Sequence, residues 1–233
     1  MGRVVLVSSQ KKDIGKTILA IKTGIELSKM GKTVLLIDLS FGKKKISEYL
    51  NVCEDIIYDI KDVLDLTCSL EQAVMDINGT LSLLPNPRVT DKLGNIKVEE
   101  FSKLINQAKD KYDVIIVDVD KISLSYIDFK CIEFIININN NDFSCIKELN
   151  IDKSIINKYE GNDAIVIINK FSKKSAVRGT MLKLEDIKRM TNIQNLIVIE
   201  ENVSYSGANY DFLINNQDNS FNKAIKGITL KLN

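Results

Sequence analysis

The sequence predicts a doubly wound α/β domain, a mostly parallel sheet of about seven strands with helices on both faces. Three observations carry that expectation. Short runs rich in β-branched residues alternate with longer helical patterns, the order that a parallel sheet with crossover helices requires. The run "YDVIIVD" (Tyr112–Asp118) is apolar without interruption at its centre, as a strand covered on both faces must be. No repeat, low-complexity segment or Pro-rich linker divides the chain, so residues 1–233 are expected to form a single domain.

The elements follow in order from residue type and spacing. "RVVLVSS" (Arg3–Ser9) reads as a buried strand. Lys16 to Met30 sets Ile18, Ile21 and Ile25 on one helical face and closes at Gly31, a residue suited to ending a helix. "TVLLID" (Thr33–Asp38) is the second strand. Ile60–Leu64 and Leu70–Met75 read as short helical turns, and "TLSLLP" (Thr80–Pro85) as the third strand. Val98–Lys109 has a helical pattern and precedes the strand at Tyr112–Asp118. "IEFIINI" (Ile132–Ile138) and "AIVIIN" (Ala164–Asn169) are strands with a helix between them, around Phe143–Tyr159. Leu182–Met190 is another helix, "NLIVIE" (Asn195–Glu200) the last strand and Phe221–Leu232 the last helix. In such sheets ligands sit beyond the carboxyl ends of the strands, so the residues that close each strand are the ones to read for chemistry.

Composition removes several function classes. The net charge of +1 gives no global basic field for nucleic acid or an anionic membrane. The chain has no histidine, which excludes histidine-based catalysis and histidine–metal ligation. Its four cysteines, Cys53, Cys68, Cys131 and Cys145, are far apart with no CxxC pair, which fits reduced thiols better than a disulfide framework or a zinc site. The chain enters a strand-like run at once, leaving no room for a signal peptide, and no apolar stretch approaches ~20 residues. The expectation is a soluble cytoplasmic protein.

The chemistry is expected at four strand ends. After the first strand come Gly15-Lys16-Thr17, at the start of a long helix. Backbone N–H groups and the helix dipole at such a place cradle phosphate. Lys16 would neutralise the β- and γ-phosphates, and the Thr17 hydroxyl would ligate Mg²⁺. Asp118 closes the most apolar strand, where a carboxylate can approach that Mg²⁺ through water, although an aspartate there can also cap the next turn. Asp38 closes the second strand at the same edge and could hold a Mg²⁺-bound water. Asn169 could offer donors and an acceptor to a purine edge. Either of these two could instead cap a turn.

With these residues in place the sequence resembles the MinD/ParA family of deviant Walker A ATPases, and its MinD branch most. The family motif K-G-G-x-G-K-T corresponds to Lys11-Lys12-Asp13-Ile14-Gly15-Lys16-Thr17. The likeness continues through "GKTVLLID", "DVLDLTCSLEQAV" (Asp62–Val74), "LSLLP" (Leu81–Pro85), "YDVIIVD", "VIINKF" (Val166–Phe171) and "MLKLEDI" (Met181–Ile187). The resemblance implies a P-loop fold that binds ATP or ADP with Mg²⁺ and forms an ATP-dependent homodimer with two nucleotides between the subunits. It implies nucleotide contacts from Lys12, Asp13, Ile14, Gly15, Lys16, Thr17, Ile18, Asn169 and Asn202. Metal contacts would come from Thr17, Asp38 and Asp118. Lys11, Lys16 and Asp38 are the implied catalytic residues, with Lys11 reaching the partner's phosphates. Members of the family position division septa, flagella, pili or DNA in bacteria.

The chain departs from the family pattern at several positions. Lys12 and Asp13 replace two glycines, and a carboxylate at Asp13 stands near a polyanion. Two unit charges ~4 Å apart repel by ~4 kcal/mol at an effective dielectric of ~20. A side chain turned to solvent would escape most of this, so weakened affinity is expected rather than its loss. Ser40 stands where the family has a second aspartate near the attacking water, so slow hydrolysis is expected; Asp120 is the one nearby carboxylate that could substitute. Glu200-Glu201-Asn202 replaces a Pro-x-Asp loop that contacts the base. The terminal stripe of Phe221, Ala224, Ile225, Ile228 and Leu232 is expected to dock on the sheet rather than on a membrane, Gly227 weakening a free-standing helix. Any place at the inner face of the membrane would then be reached through partners. The leading reading is a positioning factor with weak or conditional ATPase activity and an unknown activating partner. One alternative is a degenerate scaffold without turnover, for example in pilus or secretion-machinery localisation; another is a metabolic P-loop enzyme.

Overall fold

The computed structural model describes residues 1–87, 96–122, 124–158, 163–193, 196–215 and 219–232. Eight strands form one sheet: β1 (Arg3–Ser8), β2 (Val34–Leu39), β3 (Met75–Asp76), β4 (Leu81–Leu84), β5 (Val114–Val119), β6 (Phe134–Asn139), β7 (Asp163–Phe171) and β8 (Leu196–Glu200). Their order is β3-β4-β2-β5-β1-β6-β7-β8. Every pairing is parallel except β3 with β4. The doubly wound, mostly parallel class follows, with one strand more than expected.

The additional strand has a local cause. Leu70–Met75 reads as a helical turn, but the helix ends at Ala73 and Met75 belongs to β3. The following Asn78-Gly79 makes a tight turn: the Asn78 side chain accepts from the N–H groups of Thr80 and Leu81, and Gly79 takes φ 82°. Asn-Gly between two extended runs is a hairpin signal, and it folds β3 back onto β4.

Alternation along β1 sends Val5 and Val7 to one face and Val4 and Leu6 to the other, all fully buried. Helices α1 (Lys16–Lys29), α2 (Ile46–Tyr49), α9 (Tyr210–Asn215) and α10 (Asn219–Leu232) pack on the first face. Helices α3 (Ile60–Leu64), α4 (Leu70–Ala73), α5 (Val98–Lys109), α6 (Cys145–Ile156) and α8 (Leu184–Thr191) pack on the second. The short α7 (Lys173–Val177) follows β7. Tyr159 and Asn195, the expected limits of a helix and a strand, lie outside the described residues.

The long α1 fixes the loop that precedes it, and it lies close to the sheet. Gly24 permits this, because a Cβ there would stand 3.0 Å from Leu36 and 3.2 Å from Leu81. The buried Lys22 also ties it down, donating to the Leu213 carbonyl of α9 at 2.6 Å and pairing with Glu26 at 3.1 Å. Phe221, Ala224, Ile225, Ile228 and Leu232 are all buried, so the stripe of α10 is docked against α1 and β8. No helix among the described residues is long and apolar enough to cross a membrane.

Candidate nucleotide site

The strand order reverses at β1, which lies between β5 and β6, and at that point the loops after β1, β2, β5 and β7 meet. A cavity of about 490 Å³ opens there. Lys12, Asp13, Gly15, Lys16, Thr17 and Ile18 form one wall. Ser40, Asp120, Asn169 and Lys170 line it as well. At its other end stand Ile199, Tyr205 and Phe221, with Glu200, Glu201 and Asn202.

The loop keeps the path of a phosphate cradle with a single glycine. Gly15 caps α1 at φ 93°, and a Cβ on it would stand 2.7 Å from Asn169 Nδ2. Asp13 takes φ 56°, occupying the left-handed region that glycine favours and that aspartate tolerates better than most residues. The residue lines the cavity with an exposed side chain, so solvent can screen part of the repulsion that a carboxylate near phosphate brings. The first N–H groups of α1 have no partner within their own helix and stand ready for an anion.

Lys16 is nearly buried, and its Nζ donates to the Lys11 carbonyl at 3.0 Å and lies 3.7 Å from Asp120 Oδ1. Thr17 Oγ1 donates to Asp118 Oδ2 at 2.6 Å. Asp118 is fully buried, and its other oxygen has no hydrogen-bond partner. Burial, and then the charge of Asp38 on the adjacent strand, push its pKa up to about 7. Asp38 faces Asp118 in register, but both its oxygens are committed to the chain. Oδ1 accepts from the Ser40 N–H at 3.0 Å and the Ser40 hydroxyl at 2.8 Å, and Oδ2 accepts from the Ile46 N–H at 2.8 Å, at the start of α2.

The remaining expected residues divide between the cavity and its supports. Ile14 is buried and is not among the residues that line the cavity. Ile18 and Asn202 line the cavity; the Asn202 side chain accepts from the Ser204 N–H at 2.9 Å. Asn169 spends a donor on the Ile14 carbonyl at 2.6 Å, so it braces the loop as well as facing the site. Lys11 points away from its own phosphate loop, towards Asn140 Oδ1 at 2.6 Å, Asp142, and Glu148 at 3.4 Å. Lys43, Lys44, Lys170 and Tyr205 also line the cavity, although residue type and spacing do not lead to them. The run Lys43-Lys44-Lys45 directly after β2 is a usable signal for the first two. Nothing local marks Tyr205, which comes to the cavity through the turn after β8.

These residues fit a nucleotide with a divalent cation. The fit rests on the unpartnered Asp118 oxygen beside a Thr hydroxyl, on a wall that a Cβ at position 15 would disturb, and on the size of the cavity. Among the described residues no group of three carboxylate or thiol side chains could hold a metal. A cation here would therefore share phosphate oxygens and water, as Mg²⁺ does.

A family model described as ATPase MipZ matches residues 3–129, a span that holds the phosphate loop, Asp38 and Asp118. The chain belongs to the MinD/ParA family of P-loop ATPases. This MinD/ParA-family chain is 33% identical over 119 residues to the septum site-determining protein MinD of Synechocystis, an overlap of 51% of the chain and 45% of the relative. It thus spans about half the length of that relative. A chain of the Aquifex aeolicus MinC:MinD cell division protein complex superposes with a TM-score of 0.81 at 24% identity, covering 98% of this chain and 96% of that one. The septum site-determining MinD of Pyrococcus horikoshii, complexed with Mg-ADP, gives 0.79 at 21% identity, again covering 98% and 96%. At these identities the superpositions establish the shared fold.

Proposed function

We propose that this MinD/ParA-family chain binds ATP and ADP with Mg²⁺ and acts as a positioning factor through ATP-dependent homodimerisation, with weak or conditional hydrolysis. The observation that carries the reading is the Thr17 hydroxyl on Asp118, whose second oxygen is left without a partner, next to Lys16 and a left-handed Gly15. Thr17 would ligate the cation directly and Asp118 would hold one of its waters, while Lys16 would exchange Asp120 for phosphate oxygens. The bound Mg-nucleotide would supply the phosphoanhydride bond to be cleaved. Ile18, Ile199, Tyr205 and Phe221 give a base an apolar seat, and Asn202 adds hydrogen-bonding capacity at its edge.

Slow turnover is supported by the way the carboxylates are used. Ser40 supplies no charge, and Asp38 is occupied by the Ser40 and Ile46 amides. Asp120 is the carboxylate left at the phosphate end, where its Oδ2 accepts from the Phe41 N–H at 2.9 Å. The positioning role draws support from the names of relatives that determine septum sites, and the dimer from Lys11 at the first lysine of the family motif. The scaffold reading has one observation of its own, the hold of Asn140, Asp142 and Glu148 on Lys11 within the same subunit.

Light scattering with ADP, ATP or no nucleotide, together with phosphate release, tests the proposal. Doubling of the mass with ATP and slow phosphate release are expected. A mass that never responds to bound ATP would overturn the switch and leave the scaffold.

A further inference from the structure

The phosphate loop is braced from one side by two successive residues of β7. The pairing of β7 with β8 is irregular between Ile168 and Phe171, and Asn169 and Lys170 lie in that irregularity. Asn169 Nδ2 donates to the Ile14 carbonyl at 2.6 Å, and Lys170 Nζ donates to the Asp13 carbonyl at 2.6 Å. Consecutive donors thus hold consecutive carbonyls. A trans peptide is planar, so each carbonyl held towards β7 directs the N–H of the same peptide to the opposite side. The N–H groups of Ile14 and Gly15 are therefore aimed together, as groups that cradle a phosphate must be.

The same contacts bear on a conformational problem particular to this chain. Asp13 sits at φ 56° and Lys170 at φ 52°, a region that residues other than glycine enter at a cost. In the motif K-G-G-x-G-K-T, glycine stands where this chain has Asp13. The conformation is the one glycine would adopt, and a contact that holds aspartate in it offsets the cost. The ammonium of Lys170 on the Asp13 carbonyl is a charge-assisted hydrogen bond, stronger than a neutral one. Its geometry fixes the peptide that follows Asp13.

We propose that Lys170 is a positioning residue that keeps the phosphate loop on a glycine-type path although position 13 is aspartate. It acts through the Asp13 carbonyl rather than by contact with phosphate, and the proposal rests on the nucleotide-binding reading above. Loss of a direct charge effect of Lys170 on phosphate would weaken binding whether position 13 is aspartate or glycine. A brace matters only while position 13 resists the left-handed conformation.

The test is a cycle of four proteins: wild type, Lys170→Met, Asp13→Gly and the double variant. Methionine keeps the apolar stem and removes the donor. The dissociation constant of N-methylanthraniloyl-ADP with Mg²⁺ and the melting temperature without nucleotide are measured for each. Lys170→Met is expected to weaken binding about tenfold when position 13 is aspartate and no more than about twofold when it is glycine, the loss of one charge-assisted hydrogen bond mattering in the first case alone. It is likewise expected to lower the melting temperature only in the aspartate background, and Lys170→Arg should retain most of the wild-type affinity. Equal losses in both backgrounds, or no loss in either, would overturn the proposal. If the wild type binds no nucleotide, the functional reading fails by itself, and the melting temperatures still decide the brace.

Discussion

Asp38 and Asp118 stand opposite each other in register on β2 and β5, two buried carboxylates with different hydrogen-bond partners. Asp38 accepts the amides of Ser40 and Ile46 and the Ser40 hydroxyl, so its charge is well solvated by the chain. Asp118 accepts only the Thr17 hydroxyl and keeps one oxygen without a partner. The first carboxylate is spent on the chain, and the second has hydrogen-bonding capacity left.

A pH dependence follows for the protein free of nucleotide and metal. The folded Asp118 titrates at about 7, because of burial and then the charge of Asp38, whereas an unfolded aspartate titrates near ~4. Between those values the unfolded chain holds fewer protons than the folded one. Stability therefore falls as pH rises through this window and levels off above about 7. Asp152, buried on α6, is also shifted upward and acts in the same direction. Melting in EDTA should give a lower temperature at pH 7.5 than at pH 5, and Asp118→Asn should shrink the difference without abolishing it. An unchanged slope in that variant would contradict this assignment.

Restoring the carboxylate that the family carries at position 40 should destabilise the protein. Ser40 is buried and donates to Asp38, so Ser40→Asp would replace a donor by a second anion. Loss of that bond together with like-charge contact should cost about 2–4 kcal/mol. For a chain of this size that is a drop of roughly 4–16 °C in melting temperature. Thermal melts with and without Mg-ADP check it, and a melting temperature equal to wild type would show that the loop after β2 rearranges freely.

Gly227 offers the opposite case. It lies within α10, and a Cβ there would meet only Ile197 Cδ1 at 3.6 Å, an ordinary contact. Gly227→Ala should stabilise the protein by about 1 kcal/mol through helix propensity and lower unfolded-state entropy. By contrast Ile225→Ala, which empties a fully buried position, should cost about 2–5 kcal/mol. Denaturant melts of the two variants test whether α10 is docked in solution.

Much of this was legible because strands buried on both faces announce themselves. β1, β2 and β5 are apolar nearly throughout, and the residues that close them or follow at once, including Asp38 and Asp118, could be named without coordinates. Some short elements were not legible. The two-residue β3 depends on a turn at Asn78-Gly79, and α9 on a carbonyl that receives the buried Lys22. Residue type alone also could not divide roles within the site. Asp38 and Asp118 both close or nearly close a strand, and only the positions of Ser40, Ile46 and Thr17 separate the structural carboxylate from the free one. Asp13 presented the same difficulty, since its cost depends on a backbone angle and on Lys170, far away in sequence.

On the proposed function this loop holds a Mg-nucleotide through Lys16, Thr17 and Asp118. Isothermal titration of ADP into wild type and Lys16→Ala, each with Mg²⁺ and with EDTA, tests it most directly. Wild type should bind saturably, at least tenfold more weakly in EDTA, and Lys16→Ala should lose binding while its circular dichroism shows that it remains folded. No binding by wild type, or equal binding by both proteins, would contradict it.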